Sequence, residues 1–500
     1  MNDVIVRAPY GALRGCATAT GLAFLGLRYG EPPVGERRWA PPSRYKPPDG
    51  MVDATHFGPS PPQIASPATP WRAAFAPREM SEDCLNLNVW TPAADGARRP
   101  VLVHVFGGGF ETGSASEGLQ DAAALSAQAG AVVVRINFRI GALGFLSLGD
   151  SFGREFAAGN VALLDLRLAL EWVRDNVGAL GGDPDNVTIF GLSSGAFMIA
   201  ALFALPETHG LFARAWMQSG SASRVLTRAQ ASATTETFLR EVSVAAGDRD
   251  GLAKLGVEAI LAAQRKVAAL DLGDRNAPGG RTLGIVEDGV TLTRHPMSAF
   301  TAGERRDAPI VLGCTRDEAR LWFAARMMRL PQAMDDVLAE MIRFSDAESG
   351  ARLFAFYRAR YGDLEPVGLR EKFLSDAVYG VPALRTALAH GDAGGAAFLY
   401  RFDWSAPGAA AALGASHGFD EAFVWNAADA RRFPLAAGDD DAAKLGEAMS
   451  SALIAFATNG SPGWPSLSES GAIRLFGGGS SAFAEIDRPL LDAWEGVARR

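Results

Sequence analysis

Ser193 stands in surroundings that suit a nucleophile. It is the third residue of GLSSG (191–195), which follows a β-type run at 187–190 and precedes an apolar run at 196–202. Strand, G-x-S-x-G and helix in that order are typical of a nucleophile elbow, a sharp turn that presents the serine hydroxyl above a sheet. The two flanking glycines fit because such a turn leaves no room for a Cβ atom. The pattern predicts a reactive hydroxyl at Ser193.

The pentapeptide alone is weak support, because the chain contains it three times. The other two matches centre on Ser151 (149–153) and Ser416 (414–418). Neither follows a β-type run and enters a helix, which is the context that the elbow requires. We therefore predict that Ser193, and neither of the other two, is the nucleophile.

A serine nucleophile needs a base, an acid that orients the base, and donors for the oxyanion. Chains with an elbow carry these in the order Ser, acid, His. Of the six histidines, His390 and His417 lie late enough. His390 ends an apparent helix, where a histidine often interacts with the helix dipole, whereas His417 lies in a loop of small residues. We predict that His417 is the base.

The acid should follow the end of a strand. A strand candidate at 309–314 is followed by Thr315, Arg316, Asp317 and Glu318. Either Asp317 or Glu318 could serve, and their position alone does not choose between them.

The oxyanion donors should be backbone N–H groups, because these do not move when negative charge develops. Three glycines, at 107–109, directly follow the strand candidate at 101–106. Glycines at that point let the backbone approach a substrate closely. We predict that this glycine loop forms the oxyanion hole.

The elements that must position these groups alternate between strand and helix. Runs at 85–90, 101–106 and 131–137 read as strands, and the last two are nearly all apolar, as central parallel strands are. Helical spacing at 163–177 then predicts a helix. The alternation predicts an α/β fold with a doubly wound, mostly parallel sheet flanked by helices. Helical patterns at about 224–275 and 320–375 are interpreted as insertions in a single domain, 1–500.

The first 80 residues differ from the rest of the chain. Short β-type runs with turn glycines predict an antiparallel edge over 1–30, and 31–80 is rich in proline, which suits neither ladder nor helix. Trp39, Phe57 and Trp71 favour a packed surface wrap over a disordered loop.

Composition excludes several classes of protein. The net charge of −8 comes without a basic run, so neither nucleic acid nor an anionic membrane is an expected partner. No apolar stretch reaches the length of a membrane span, and no secretory signal is visible. Cys16, Cys84 and Cys314 are isolated, so we expect neither disulfides nor a zinc site and predict a cytoplasmic protein.

The motifs together resemble those of the type B carboxylesterase family, which includes carboxylesterases and cholinesterases. The resemblance covers nearly the whole chain and rests on many long motifs in the family's order. These are FLGLRYGEPPVGERRW (24–39), EDCLNLNVW (82–90), the glycine loop, NFRIGALGFL (137–146), GNVALLDLRLALEWVRDNVGALGGDPDNVTIFGLSSGA (159–196), GLFARAWMQSG (210–220), GCTRDEARLW (313–322) and GASHGFDEAFVW (414–425).

The resemblance implies an α/β-hydrolase fold, with the helical insertions around the active-site entrance. It also implies a catalytic triad, Ser193, His417 and Glu318, the last preferred over Asp317 because family members use the glutamate of this loop. The oxyanion hole would be formed by the N–H groups of Gly108, Gly109 and Ser194. Neither a cofactor nor a metal is expected.

The chain departs from the family's pattern at four places. The family commonly reads G-E-S-A-G, whereas Leu192 and Ser194 flank the serine here. Secreted members pair the cysteine of EDCL with an upstream one that this chain lacks, so we expect Cys84 to be free. Leu166 replaces the usual glutamine after Asp165.

We therefore predict a serine carboxylesterase that hydrolyses small carboxylic esters through an acyl-enzyme. Because Leu192 replaces an anion, we expect neutral esters to be preferred over choline esters; Trp322 and Phe323 are interpreted as packing residues or an apolar acyl site. Two alternatives remain: an acyl-transfer or amide-cleaving hydrolase with the same triad, and a catalytically silent binding protein. The silent protein is disfavoured because every catalytic part is present.

Overall fold

The computed structural model describes residues 3–64, 79–117, 121–156, 159–270, 282–325, 328–429, 431–478 and 482–497. Within these residues, thirteen strands form one sheet and two short strands pair separately. The sheet strands are β1 (Asp3–Ala8), β2 (Gly11–Ala17), β3 (Leu22–Arg28), β4 (Met51–Asp53), β5 (Asn86–Thr91), β6 (Arg99–Val105), β7 (Val132–Ile136), β8 (Gly182–Leu192), β9 (Arg214–Gln218), β12 (Ile310–Thr315), β13 (Ala397–Phe402), β14 (Ala472–Phe476) and β15 (Phe483–Glu485); β10 (Leu226–Thr227) and β11 (Val286–Glu287) form the pair.

The sheet is parallel at its centre and antiparallel toward its edges, apart from β4, which pairs with β2 in parallel. Its order is β1-β2-β3-β5-β7-β6-β8-β9-β12-β13-β14-β15, with β4 beside β2. Neighbours from β7 through β14 run parallel, whereas β1, β2, β3 and β5 pair antiparallel and β15 runs antiparallel to β14. The predicted antiparallel edge near the N-terminus and the predicted parallel centre are both confirmed.

Both faces of the central strands are buried, which explains why their sequences are almost continuously apolar. In β6, Val101, Val103 and Val105 belong to one hydrophobic core and Leu102 belongs to the other. The alternation follows from the two-residue period of a strand. The parallel strands end at one edge of the sheet, which is where α/β proteins bind their ligands.

Helices cover both faces of the sheet. Helices α4 and α5 pack on one face, and α1, α15 and α16 pack on the other. The helices are α1 (Ala122–Ala129), α2 (Gly141–Phe145), α3 (Gly149–Phe152), α4 (Val161–Asn176), α5 (Ser194–Leu202), α6 (Arg228–Glu241), α7 (Arg249–Ala253), α8 (Val257–Leu270), α9 (Pro296–Thr301), α10 (Arg320–Ala324), α11 (Met334–Phe344), α12 (Ala347–Arg360), α13 (Pro366–Ser375), α14 (Val381–Asp392), α15 (Phe419–Val424), α16 (Asp440–Asn459), α17 (Leu467–Ser470) and α18 (Arg488–Ala493).

The helix predicted over 163–177 is α4, which begins two residues earlier. The two segments interpreted as insertions contain α6 to α8 and α10 to α13. That they are insertions in a single domain, 1–500, remains a prediction.

The proline-rich segment packs against the sheet and helices over its described part, 31–64. Trp39 is 4% exposed, and its Nε1 donates to the carbonyl of Ala142 at 2.9 Å. Arg139, which forms a buried ion pair with Asp165, also donates to the carbonyl of Arg38 at 3.0 Å. The predicted wrap is confirmed there, while Trp71 lies outside the described residues.

In the described part of the chain, we find no helix that combines the length and apolar character needed to cross a membrane.

Candidate active site

Ser193 lies at the turn between β8 and α5, at the carboxyl edge of the sheet. Its backbone has φ 55° and ψ −121°, a region that costs a residue with a side chain about 1–3 kcal/mol. A Cβ on either Gly191 or Gly195 would overlap the carbonyl oxygen of Val105 on β6. The Ser193 N–H donates to the carbonyl of Gln218 at 2.8 Å. The turn therefore has the geometry of an elbow, and Ser193 is only 8% exposed.

The two competing pentapeptides have other structures. Ser151 lies within the four-residue helix α3. Ser416 is fully buried, and its hydroxyl donates to the carbonyl of Leu413 at 2.5 Å. Neither serine follows a strand, so neither is presented as Ser193 is.

Glu318 and His417 form a buried pair. Glu318 lies three residues after β12, and His417 lies two residues before α15. The Nδ1 atom of His417 lies 2.5 Å from Oε2 of Glu318, and Glu318 is 1% exposed. Because a carboxylate accepts, this contact assigns the proton to Nδ1 and leaves Nε2 as the free ring nitrogen. The other oxygen, Oε1, accepts from the Ser219 hydroxyl at 2.6 Å and from the Thr315 N–H at 2.8 Å.

Asp317 is turned toward other partners. Its carboxylate accepts from Lys372 at 2.8 Å and from the Ala415 N–H at 3.1 Å, and it forms ion pairs with Arg316 and Arg320. Although burial opposes the shift, Lys372 and the two arginines hold the pKa of Asp317 below its ordinary value. Of the two candidates that sequence position left open, the geometry favours Glu318 as the partner of His417.

The segments that carry Ser193 and His417 contact each other through neighbouring residues. Gln218, which accepts from the Ser193 N–H, is followed by Ser219, which donates to Glu318. On the other side, a Cβ on Gly418 would lie 3.3 Å from Cδ2 of Leu192. Among the described residues no hydrogen bond joins the Ser193 hydroxyl to His417; such bonds are often long until a substrate binds.

The glycine loop packs directly against the elbow. A Cβ on Gly107 would lie 3.3 Å from the Cβ of Ser193. Gly108 and Gly109 have φ values of 134° and 67°, a region that residues with a Cβ rarely adopt. In the described part of the chain no hydrogen bond uses their N–H groups. Ser194 begins α5, so its N–H has no acceptor within the helix.

Three groups around His417 carry no motif that identified them from the sequence. Ser219 follows β9 within MQSG, a stretch used above only for the family resemblance. Trp322 and Tyr379 place their rings 4.7 and 4.8 Å from the imidazole. The sequence predicts that Trp322 is a packing residue or part of an apolar acyl site. For Ser219, a small polar residue just past a strand end was the available signal.

Asp420 is a second buried carboxyl group near the pair. It is fully buried, and its Oδ2 accepts from Tyr400 at 2.6 Å and from Gln218 at 3.0 Å. Burial raises its pKa to about 6, against the effect of these two donors. Its position three residues after His417, at the start of α15, was the only sequence signal.

The other late histidine is remote from this cluster. His390 lies in the last turn of α14 and packs against Phe300 and Phe203. Burial lowers its pKa to about 4, which disfavours the charged ring that an interaction with the helix dipole would use. Among the described residues no cluster of His, Cys, Asp and Glu is arranged to hold a metal ion.

Comparison with known proteins gives consistent matches over the whole chain. The model of the carboxylesterase family matches residues 2–487. Para-nitrobenzyl esterase of Bacillus subtilis (strain 168) is 34% identical over 478 residues, 94% of each chain. Phenmedipham hydrolase of Pseudarthrobacter oxydans is 32% identical over 467 residues, 92% of this chain and 90% of that protein. The crystal structure of a Geobacillus stearothermophilus carboxylesterase superposes with a TM-score of 0.84 at 34% identity, covering 98% of this chain and 100% of that one.

Proposed function

The chain belongs to the carboxylesterase family and acts as a hydrolase on carboxylic esters, and we propose that it does so through an acyl-enzyme on Ser193. The predicted α/β-hydrolase fold is confirmed by the similarity to solved carboxylesterases. One observation carries the proposal: a serine with a strained backbone packs against a glycine loop, and its neighbour Leu192 lies beside Gly418, the residue after the histidine of a buried histidine–glutamate pair.

We assign the role of base to His417 and that of acid to Glu318. Nε2 of His417 accepts the proton of Ser193 as the hydroxyl attacks the ester carbonyl, while Nδ1–H remains bonded to Glu318. The imidazolium then donates its proton to the leaving alcohol, and the acyl group stays on Ser193. A water molecule then completes the cycle: His417 takes one of its protons as the water oxygen adds to the acyl carbon, the bond from that carbon to the Ser193 oxygen breaks, and the imidazolium returns the proton to that oxygen as the carboxylic acid leaves.

Glu318 stabilises the imidazolium through a short contact that water does not reach. Its two donors, Ser219 and Thr315, hold Oε1 so that Oε2 points at His417. A charged hydrogen bond of this kind is stronger than a neutral one, and its buried setting limits screening by solvent.

The backbone N–H groups of Gly108, Gly109 and Ser194 form the proposed oxyanion hole. They lie in a loop packed against the elbow and at the first turn of α5. Donors of this kind are already oriented before charge develops, and removing one typically costs about 10²–10³ in kcat.

We propose that the ester substrate is neutral near Ser193. Leu192 is apolar and 3% exposed, and the half-buried ring of Trp322 adjoins His417. The nearby carboxyl of Asp420 is fully buried and engaged by Tyr400 and Gln218. One relative is named for para-nitrobenzyl esters, and an apolar, aromatic surrounding suits aryl or benzyl esters in this chain as well.

The charge preference is tested by a pair of esters that differ in one atom. Butyrylcholine is compared with its uncharged isostere, 3,3-dimethylbutyl butyrate, by kcat/KM. We expect the neutral ester to be hydrolysed at least as well. A preference of about ten-fold or more for the cation, equivalent to about 1.4 kcal/mol, would contradict a neutral site.

The nucleophile is tested by covalent labelling. A fluorophosphonate should add one label, at Ser193, and Ser193→Ala should abolish both labelling and ester turnover. Ser151→Ala is the matched control and should leave both unchanged. A label found by peptide mapping on Ser151 or Ser416 would overturn the assignment.

We also propose a reducing compartment, the cytoplasm. Cys16 and Cys84 are buried as free thiols, and Cys314 is a half-buried free thiol. Fractionation of cells that express the protein natively should recover the esterase with the cytosol; recovery from the medium would contradict this.

A further inference from the structure

The imidazole of His417 contacts two aromatic rings that come from the helical segment after β12. The ring centroid of Tyr379 lies 4.8 Å away and that of Trp322 lies 4.7 Å away. The two rings are themselves stacked at 6.2 Å and 21°. Tyr379 is only 1% exposed, so it is enclosed by protein and is not part of an open pocket wall.

Tyr379 belongs to a single turn of π-helix. Residues Asp376–Gly380 form this turn between α13 and α14, and the Val381 N–H closes it by donating to the carbonyl of Asp376. A π turn places one extra residue in a helix and so redirects side chains; such turns occur frequently at functional sites. Here the redirected side chain is the ring that contacts His417.

The π turn is held at its N-terminal end by two groups outside it. At its first residue, Oδ2 of Asp376 accepts from the Tyr357 hydroxyl at 2.7 Å, and that hydroxyl accepts from Trp494 at 3.1 Å. Tyr357 lies on α12 and is fully buried. Just before the turn, the Ser375 hydroxyl accepts from the Ala319 N–H at 3.0 Å. Ala319 directly follows Glu318, so the turn is tied to the acid as well.

We propose that Tyr379 is a positioning residue for the His417 imidazole, and that Asp376 and Tyr357 act through it by holding the π turn. The proposal rests on the role of His417 as the base. The bond to Glu318 restrains Nδ1, but one hydrogen bond tolerates small changes of the χ2 torsion, which is broad for a histidine. A ring packed on the imidazole face restricts that rotation and keeps Nε2 directed at Ser193. Misplacement of a reacting group by about 1 Å costs about 10²-fold in rate.

The first experiment compares kcat and KM for a 4-nitrophenyl ester across variants of Tyr379. Tyr379→Leu should lower kcat about ten-fold with KM nearly unchanged, because base geometry and not binding is affected. Tyr379→Phe keeps the ring and should restore kcat to within about three-fold of the parent enzyme. A raised KM with unchanged kcat in Tyr379→Leu would make Tyr379 a substrate contact and overturn the proposal.

A second measurement reports on the position of the imidazole itself. The proton between His417 Nδ1 and Glu318 should give a low-field proton NMR resonance, assigned by its loss in Glu318→Gln. In Tyr379→Leu this proton should exchange faster with water, whereas Tyr379→Phe should keep the parent rate. Unchanged exchange in Tyr379→Leu would contradict the positioning role.

Tyr357→Phe tests the support of the π turn without touching Tyr379, and it decides the matter if Tyr379→Leu does not fold. It removes only the hydroxyl that bonds to Asp376, and kcat should fall about three-fold with KM unchanged. Tyr361→Phe is the matched control: Tyr361 stacks on Tyr357 at 6.2 Å, and its variant should behave as the parent. Equal kcat for both variants would overturn the proposal.

His417→Gln belongs in the same series. If it is inactive while the Tyr379 and Tyr357 variants keep the parent kcat, the positioning proposal alone fails. If His417→Gln retains full activity, the assignment of the base fails.

Discussion

The two halves of the proposed active site are held by different kinds of constraint. On the elbow side, residues 107–109 and 191–195, the constraint is backbone overlap: Gly191 and Gly195 lie against the carbonyl of Val105, and Ser193 has a positive φ. On the histidine side, residues 315–320 and 414–420, the constraint is a set of side-chain bonds. Glu318 accepts from three groups there, and Asp317 bridges to Lys372 and Ala415.

The difference predicts how each side responds to substitution. Backbone overlap in a close-packed interior has little room to relax, so a single methyl group on the elbow side is costly. Side-chain hydrogen bonds can be removed one at a time. The free energy lost with each depends on whether a buried charge is left without a partner. Substitutions on the histidine side should therefore reduce rate in graded steps.

The largest effect is expected on the histidine side, at the charge itself. Glu318→Gln keeps the size of the side chain but removes the charge that stabilises the imidazolium, so kcat should fall by about 10⁴. Steady-state kinetics with a 4-nitrophenyl ester measures it, and circular dichroism checks the fold.

Asp317→Asn is the matched control for this substitution. It removes an equally buried charge one residue away that faces Lys372 and two arginines, so kcat should fall by less than about ten-fold. If the two losses came out reversed, Asp317 would be the acid.

The elbow side is tested by adding one methyl group. Gly195→Ala would place a Cβ into the carbonyl of Val105 and 2.7 Å from that of Phe106. We expect a loss of about 1–3 kcal/mol in the free energy of unfolding and, because Ser193 shifts with the backbone, of about 10² in kcat. Urea unfolding and kinetics measure the two.

Gly178→Ala is the control for crowding, since nothing lies within 4 Å of its added Cβ. It should be neutral or slightly stabilising. A Gly195→Ala enzyme with the parent's kcat and stability would show that the elbow is not set by overlap.

A smaller effect is expected from Ser219, which holds Glu318 without touching the imidazole. Ser219→Ala leaves Oε1 of Glu318 with only the Thr315 N–H. A hydrogen bond to a buried charged group contributes about 1.5–3 kcal/mol. We expect part of this loss to appear as a decrease of about ten-fold in kcat. Ser223→Ala is the control: in the described part of the chain the Ser223 hydroxyl bonds to Ser221, and this variant should match the parent. Equal kinetics for both variants would remove Ser219 from the site.

The smallest expected effect is on the pH dependence of stability. It distinguishes the two buried aspartates of the histidine side, Asp420 and Asp317. Burial raises the pKa of Asp420 to about 6 from 3.8, so the native state holds its proton more tightly than the unfolded state. Stability from this group is present below pH 3.8 and is lost as pH rises to about 6. The pKa of Asp317 is instead lowered, so its contribution is present above pH 3.8 and lost only as pH falls further.

Asp420→Asn should therefore gain stability relative to the parent between pH 4.5 and pH 7, by about 1–2 kcal/mol. Asparagine keeps an oxygen for Tyr400 and Gln218 and cannot ionise. Urea midpoints across that pH range measure it, with Asp317→Asn as the comparison, which should show no gain. A constant difference between parent and Asp420→Asn would mean that Asp420 titrates normally.

The elbow side could be predicted almost completely from sequence because its signals are local. Gly191, Ser193 and Gly195 are neighbours in the chain, and the strand and helix around them have clear apolar runs. The histidine side was harder: the order Ser, acid, His led to His417, but Asp317 and Glu318 are adjacent and chemically alike. Only the family resemblance favours Glu318, and in the structure its carboxylate contacts His417.

By itself, the sequence determined what depends on neighbouring residues: the central strands, α4, the elbow and the glycine loop. Periodicity and steric limits act over a few residues, so they can be read directly. Only the tertiary structure decided which distant groups meet. Ser219 bonds to Glu318 across 99 residues of sequence, and the ring of Tyr379 contacts His417 from the helical segment after β12. Such contacts arise from packing of the whole sheet and its helices, and no local pattern encodes them.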